Sequence, residues 1–383
     1  MKFVRSQDLK PGMRLAKPIY NRNGVLLYER NSRITLPAIT SIRNFGLIGI
    51  YILEPAEPVP PFTKEDLDFE QTQTVYMFKL KEIFDKIYKQ APIPITTELI
   101  DDTISRYGIF NQRLNFNQNL RSADDFIYKH AISTAILTAL ISQHVPMTNI
   151  NKRALIASAF LCDFGYRFVP RPILEKGLNL TEDDSNTIQT ALERGLTYLR
   201  QYQNEFDFMK NAFSIMEYYI YSDNLEKRFE YISEEFLKLS QILKVAETFD
   251  YRTAMSIGHE PESEIMAMKY LENSPEKYNE EIVSILAQCI HIIPAGASVD
   301  LSTKEKAVVL VENPTDYMKP LILRLSDNNF YDLSEPNVGR RIQIIDLMKT
   351  MDNRVEIDEN TLKQFVADKR IIAITNKFRS KLQ

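Results

Sequence analysis

The stretch 161-LCDFGYRFVP-170 decides how the chain is interpreted, because it joins an apolar run to an abrupt turn. It closes the segment 152-KRALIASAFLCDFG-165, which is apolar nearly all round, as in a helix buried at the centre of a domain. Gly165 and then Pro170 favour a turn directly after this segment. We therefore expect a buried central helix that ends near Gly165 and carries Cys162 and Asp163 at its end.

The composition limits the class of protein. The 383 residues are 44% hydrophobic and 26% charged, as in an ordinary globular protein of two or three domains. The net charge of −4 comes from interspersed acids and bases, so we expect no nucleic-acid binding. No apolar run approaches the roughly 20 residues that span a bilayer, so we expect no membrane insertion. With two cysteines and no apolar core behind its first charges, the sequence predicts a cytoplasmic protein.

Changes in periodicity divide the chain into four pieces. Residues 1–54 predict a small α/β module with a β-hairpin around Asn23-Gly24. Residues 55–69 contain four prolines and predict an extended linker. Residues 70–292 have helical spacing almost throughout, whereas 293–383 predict a β-rich appendage followed by a tail. The predicted fold class is mainly α: a helical bundle with an N-terminal α/β module and a C-terminal β-rich appendage.

Capping residues predict where individual helices begin. Ser122 with Asp125, and Thr181 with Asp184, have the spacing of a capping box. Ser233 is the expected cap of a long amphipathic helix, and Ser274 before Pro275 predicts another start. In the tail, 359-ENTLKQFVADK-369 predicts one short helix.

Four successive stretches resemble the HD-GYP family, a group of bacterial HD-domain phosphohydrolases. They are 128-YKHAISTAILTALIS-142, 157-ASAFLCDFGYRFVPRPILEKGLNLTEDD-184, 242-ILKVAETFDYRTAM-255 and 294-PAGASVDLSTKEKAVVLVENP-314. The second follows the family signature A-x-L-L-H-D-I-G-K, then I-P, then I-L-x-K-x-G-x-L. The resemblance implies a helical HD-domain-like bundle that holds two or three metal ions and hydrolyses cyclic di-GMP.

The departures from the family pattern fall on its metal ligands. By this resemblance, His130 and Asp163 match ligand positions, and Glu247 replaces an Asp that could still bind a metal ion. Four expected histidines are replaced, by Cys162, Ala191, Tyr218 and Tyr219. The R-P-Y motif that contacts nucleotide phosphates in the family has no counterpart in 255-MSIGHEPE-262.

The sequence leaves two interpretations open. In the first, the chain is a catalytically inactive signalling or scaffold protein, without catalytic residues or cofactor, that acts through protein partners or as a homodimer. In the alternative, it is a phosphohydrolase with a reduced metal site. A single Zn, Mn or Fe ion would then be held by His130, Cys162, Asp163 and Glu247.

Residues that map near the family's metal centre suggest how a ligand would be contacted. Tyr166, Tyr218 and Tyr219 either fill the vacated cavity, which we favour, or stack on bases. The cations that map near the centre are Arg167, Arg171 and Arg194. Binding of cyclic di-GMP is not expected, although a sensing role stays open. For the carboxylates we expect structural roles: Asp163 either caps the turn after its helix or pairs with Arg167, and Glu247 lies with Asp250 on a polar helix face.

Overall fold

A computed structural model describes residues 2–44, 47, 49–53, 61–92, 97–116, 121, 125–177, 179–222, 225–254, 261–348, 354–355 and 370–381. Within these ranges the chain is mainly α-helical with small antiparallel sheets, which confirms the predicted class. No helix in the described ranges is both long and apolar enough to cross a bilayer.

The N-terminal module has its own small core. Its elements are β1 (Lys2–Arg5), β2 (Arg14–Leu15), β3 (Ile19–Tyr20), β4 (Leu26–Tyr28), α1 (Leu36–Asn44) and β5 (Gly49–Leu53). One sheet has the order β1-β5-β2, and β3 pairs with β4 in the predicted hairpin. Gly24 adopts a φ of +77° in the turn of that hairpin, a conformation that glycine tolerates best. Residues such as Ile39, Ile42 and Ile52 form the core between helix and sheet.

The helical body is built around one apolar helix. Its elements are α2 (Lys64–Tyr88), α3 (Thr97–Tyr107), α4 (Phe126–Ser142), α5 (Asn149–Leu161), α6 (Arg171–Leu174), α7 (Glu182–Leu199), α8 (Met209–Ile220), α9 (Leu225–Arg228), α10 (Glu234–Thr253), α11 (Glu264–Glu272) and α12 (Glu280–Cys289). Two 3₁₀ helices span Cys162–Phe168 and Arg200–Tyr202. Almost every side chain of α4 is buried, because α2, α3, α5, α10 and α12 surround it.

Several predicted helix starts are confirmed. Thr181 and Asp184 form both hydrogen bonds of a capping box at α7, and Ser233 caps α10. The predicted central helix is α5, whose α-helical geometry ends at Leu161, and the 3₁₀ helix carries the chain past Gly165. At α4 the N-cap is Asp125, which makes no side-chain capping bond, whereas Ser122 lies outside the described residues.

Two predictions of local structure are wrong. Helix α2 begins at Lys64, within the predicted linker, because Thr63 and Asp66 form a capping box directly after the prolines. No helix starts at Ser274. The carbonyl of Ser274 accepts hydrogen bonds from the amides of Lys277 and Tyr278, which close a single turn. The next helix is α12, which begins after Asn279, whose side chain accepts from the Ile282 amide.

The first 3₁₀ helix lies in backbone contact with α7. A Cβ atom on Gly165 would lie 2.5 Å from the Cα atom of Leu192 and 2.6 Å from the carbonyl oxygen of Ala191. A Cβ atom on Gly195 would lie 2.6 Å from the Cα atom of Gly165. Only glycine permits this approach at both positions, and the contact fixes the 3₁₀ helix on α7.

The C-terminal sheet shares the core of the helical body. Its elements are β6 (Ser298–Leu301), β7 (Lys306–Val311), β8 (Leu321–Arg324), β9 (Asn329–Asp332), α13 (Pro336–Gly339) and β10 (Ile344–Leu347), in the antiparallel order β10-β6-β7-β8-β9. Val299, Val309 and Ile322 belong to the same buried cluster as the helices. On the other face, Phe378 of α14 (Arg370–Lys381) packs against Leu310 and Leu323. The helix predicted over 359–369 lies outside the described residues.

Candidate functional site

Three elements bring the four predicted ligand residues together. Helix α4 supplies His130, the 3₁₀ helix supplies Cys162 and Asp163, and α10 supplies Glu247. The Nε2 atom of His130 lies 3.4 Å from Oε1 of Glu247 and 3.7 Å from Oδ2 of Asp163. The thiol of Cys162 donates to Oδ1 of Asp163 at 3.6 Å. The sequence therefore identified a real cluster, which we call the polar centre.

The polar centre contains two further residues whose roles sequence reasoning missed. The Nδ1 atom of His130 lies 2.6 Å from Oδ2 of Asp250, and Arg121 binds both carboxylate oxygens of Asp250 at 2.6 Å. Asp250 is fully buried, so its predicted place on a polar helix face is wrong. The signal was its position on the buried stripe of α10, together with Leu243 and Ala246. Arg121 had no comparable signal.

Burial and charge together set the protonation of the polar centre. Burial alone would lower the pKa of His130, but Asp163, Asp250 and Glu247 raise it to about 10. Burial raises the pKa of Asp163 to about 6, although His130 opposes this shift. Burial opposes ionisation of Asp250 as well, but Arg121 and then His130 lower its pKa to about 2. Without a metal ion, the favoured state at neutral pH pairs the cations of His130 and Arg121 with the carboxylates of Asp163 and Asp250.

Burial also keeps the thiol neutral. The pKa of Cys162 lies well above its ordinary value, first because the side chain is buried and then because Asp163 and Glu247 are close. Zinc binds the thiolate form of cysteine. Cys162 would therefore have to lose its proton to a base or to solvent on binding such an ion.

In the part of the chain that the structure describes, Nε2 of His130 and Oδ2 of Asp163 are buried without a hydrogen-bond partner. Their 3.7 Å separation is too long for a hydrogen bond. It is close to the separation of about 3.4 Å between two ligands that bind one zinc ion tetrahedrally. Asp250 would orient His130 from behind, as carboxylates do for metal-ligating histidines. By this geometry His130 and Asp163 could supply two ligands to one ion.

They do not fit two ions. As the side chains stand, no group of three or more His, Cys, Asp or Glu residues in the described ranges is arranged to hold a metal ion. One expected ligand position is Ala191, which is buried and offers no donor atom on its side chain. Another expected ligand position is Tyr218, whose hydroxyl accepts a hydrogen bond from the amide of Ser233 at 2.8 Å. Asp223, which matches an aspartate in the family pattern, lies outside the described residues.

Aromatic rings cover the polar centre. The ring of Phe126 stacks on His130 with centroids 5.3 Å apart, and Tyr251 meets His130 edge-on at 5.9 Å. Tyr166 packs edge-on against Phe126, and its pKa and that of Tyr219 are raised by burial and then by Glu247. Tyr166 and Tyr219 thus lie beside the polar centre.

The three predicted arginines contact other parts of the protein. Arg167 donates to Asp85 on α2 at 2.7 Å, so its predicted pairing with Asp163 is wrong. Arg194 lies over the ring of Phe168, with 4.2 Å between the guanidinium carbon and the ring centroid. Arg171 pairs with Glu175 one helical turn away. Arg121 instead is the arginine that reaches the polar centre.

Comparison of the chain with protein-family models, with curated proteins and with solved structures gives no match. The resemblance to HD-GYP proteins therefore stays a prediction that rests on the four stretches of sequence. The function is argued from the polar centre itself.

Proposed function

We propose that the chain is a catalytically inactive signalling or scaffold protein of HD-GYP type that acts through protein contacts. The observation that carries this proposal is the mutual neutralisation of the buried polar centre. Arg121 occupies both oxygens of Asp250, and Asp250 occupies Nδ1 of His130. Both His130 and Asp163 are 0% exposed. A phosphodiester of cyclic di-GMP has to reach the ligands of a metal ion, and these ligands are covered.

Access to the polar centre is further restricted by its aromatic neighbours. Among His130, Asp163 and Glu247, only Glu247 has an exposed part, 15% of its side chain. Hydrolysis needs a water molecule and a substrate phosphate on the same ion. The rings of Phe126 and Tyr251 lie against His130, which is the space such a substrate would need.

Turnover of cyclic di-GMP tests this proposal. Protein incubated with Mn²⁺ or Fe²⁺ is expected to leave the dinucleotide intact on chromatography, beside a catalytically competent HD-GYP enzyme as positive control. Calorimetry with cyclic di-GMP is likewise expected to give no heat of binding. Hydrolysis that is present in the wild type and abolished by Asp163→Asn would overturn the proposal.

Protein contacts need an outer surface. In the described ranges, the large side chains of Ile109 and Tyr231 are 67% and 81% exposed, just after α3 and just before α10. We expect a partner protein or a second copy of the chain to bind the outer surface. Light scattering on a gel-filtration column separates these cases, because a homodimer doubles the mass of about 44.5 kDa in the absence of any other protein.

A second candidate is a phosphohydrolase with one metal ion. It is favoured by the buried atoms His130 Nε2 and Asp163 Oδ2, which lack a hydrogen-bond partner in the described ranges. His130, Asp163, Glu247 and Cys162 would hold Zn, Mn or Fe, and such an ion supplies Lewis acidity and an activated water. Asp250 and Arg121 would orient His130. The Oε2 atom of Glu247 accepts a hydrogen bond from the hydroxyl of Thr248 at 3.2 Å.

Elemental analysis separates the two candidates. Protein purified without a chelating resin is expected to contain less than a stoichiometric amount of metal. One ion per chain that is lost in both His130→Ala and Cys162→Ser would favour the second candidate.

A further inference from the structure

A cavity lies between the N-terminal module and the helical body. Its volume is about 690 Å³, within the range of roughly 300–1,000 Å³ that is usual for small-molecule sites. One wall comes from the segment 17–23 and from β5, and the other walls come from α2 and α4. His130, Asp163 and Glu247 do not line it, so the cavity is distinct from the polar centre.

The charged side chains of the cavity leave a positive excess. Lys17 pairs with Glu70 at 2.6 Å, and Lys129 pairs with Asp125 at 2.6 Å. The remaining cations are Arg22 and Lys81, which are exposed and have no carboxylate partner in the part of the chain that the structure describes. Two cations that line the same cavity, one from each unit, attract an anion into it.

Aromatic side chains give the cavity an apolar interior. Tyr20 and Tyr51 stand on the wall of the N-terminal module, whereas Phe78 of α2 and Tyr128 of α4 stand on the opposite side. Tyr51 and Tyr128 are buried, and burial raises the pKa of each phenol, so both rings stay neutral. Aromatic walls with a few charged groups are typical of sites for planar ligands.

The floor of the cavity is polar and touches the polar centre from outside. Ser133 of α4 lines the cavity and accepts a hydrogen bond from Arg121 Nη2 at 3.3 Å. The same guanidinium holds Asp250. A ligand on this floor would therefore be separated from the centre by a single side chain.

We propose that this cavity binds a small anionic molecule with an aromatic body. The anionic group would lie between Arg22 and Lys81, and the ring system would lie against Phe78 and the tyrosines. The site is formed only where the N-terminal module meets α2 and α4, so the bound molecule would bridge the two units. This inference does not depend on whether the polar centre holds a metal ion.

Two fluorescent probes with the same ring system test the proposal on the full chain. One is 8-anilinonaphthalene-1-sulfonate, an aromatic anion, and the other is N-phenyl-1-naphthylamine, its uncharged analogue. We expect saturable binding of the sulfonate. In the double variant Arg22→Glu with Lys81→Glu its affinity is expected to fall about five- to tenfold, as befits reversal of two half-exposed charges. Affinity for the uncharged probe should stay the same.

The matched control reverses two cations outside the cavity, one in each unit. Lys10→Glu with Lys86→Glu makes the same change in net charge, and neither residue lines the cavity. We expect this variant to bind the sulfonate like the wild type. Equal weakening in both double variants, or in neither, would overturn the proposal, as would the absence of saturable binding.

A reporter variant gives a second measurement. The chain contains no tryptophan, so Phe78→Trp places a single indole in the cavity wall with a small change in shape. The sulfonate is expected to quench this indole over the same concentration range in which its own fluorescence rises. Binding that leaves the indole unquenched would place the probe elsewhere and refute the site.

Discussion

The polar centre and the cavity under the N-terminal module use charged side chains in opposite ways. In the centre, Arg121, Asp250 and His130 are at most 1% exposed and pair with one another. In the cavity, Arg22 and Lys81 are exposed and come from different units. The comparison separates charges that hold the fold together from charges that can meet a ligand. Only the first group should matter for the free energy of unfolding.

The largest expected effect comes from removing the buried cation. Arg121→Met leaves the Asp250 carboxylate buried without its main counterion, which costs about 3–5 kcal/mol of unfolding free energy. Urea unfolding followed by circular dichroism measures the change. The matched control is Arg106→Met, because Arg106 also binds both oxygens of an aspartate, Asp102, but its side chain is 50% exposed.

For that control we expect a loss of about 0–1 kcal/mol, as is usual for exposed pairs. Similar losses in the two variants would erase the distinction between the buried centre and the surface.

The next effect is the coupling between Arg121 and Asp250. Asp250→Asn alone leaves the Arg121 guanidinium uncompensated, but in Arg121→Met with Asp250→Asn both charges are absent. The double variant should therefore be more stable than the sum of the single losses predicts, by roughly 2 kcal/mol. A double-mutant cycle from urea unfolding gives this value, and strict additivity would show that the two residues do not act as a pair.

A third effect is a dependence of stability on pH in the absence of metal. The pKa of His130 is raised to about 10 in the folded protein, from an ordinary value of 6.5. Its contribution to stability is therefore complete below pH 6.5 and is lost as the pH rises toward 10. With a chelator present, the melting temperature of the wild type should fall over this window relative to that of His130→Gln. Parallel curves for the two proteins would contradict the charged state of His130.

The smallest effect is expected at the cavity. Lys81→Glu should change the free energy of unfolding by no more than about 0.5 kcal/mol, because the side chain is exposed and makes no ion pair with a described residue. The same substitution is expected to weaken binding of the aromatic sulfonate. A loss of stability above roughly 1 kcal/mol would instead assign Lys81 to the fold.

Local signals in the sequence predicted much of the fold. The capping box of Thr181 with Asp184, the hairpin at Asn23-Gly24 and the strand runs after residue 293 depend on neighbours within a few residues. Strands β6 and β9 are less evident in the sequence, because they lack the apolar run that marks β7 and β8. The start of α2 at Lys64 was not predicted, because the four prolines before Thr63 indicated an extended linker through residue 69.

The polar centre was predictable only in part. Resemblance placed His130, Asp163 and Glu247 together, because each belongs to a recognisable stretch. The pairing of Arg121 with Asp250 joins positions 129 residues apart, and no periodicity connects them. For the same reason Arg167 was assigned to the centre by its closeness in sequence to Asp163, although its guanidinium meets Asp85 on a different helix.

The crossing of Gly165 and Gly195 has a consequence for how distant relatives of this chain are recognised. Both glycines are required by backbone contact between the 3₁₀ helix and α7, whatever the chemistry of the neighbouring residues. This steric requirement holds whether or not the residues beside Gly165 bind a metal ion. The D-x-G pattern of residues 163–165 is therefore explained by packing alone. A search that scores this pattern as a mark of catalysis would count a backbone contact as chemistry.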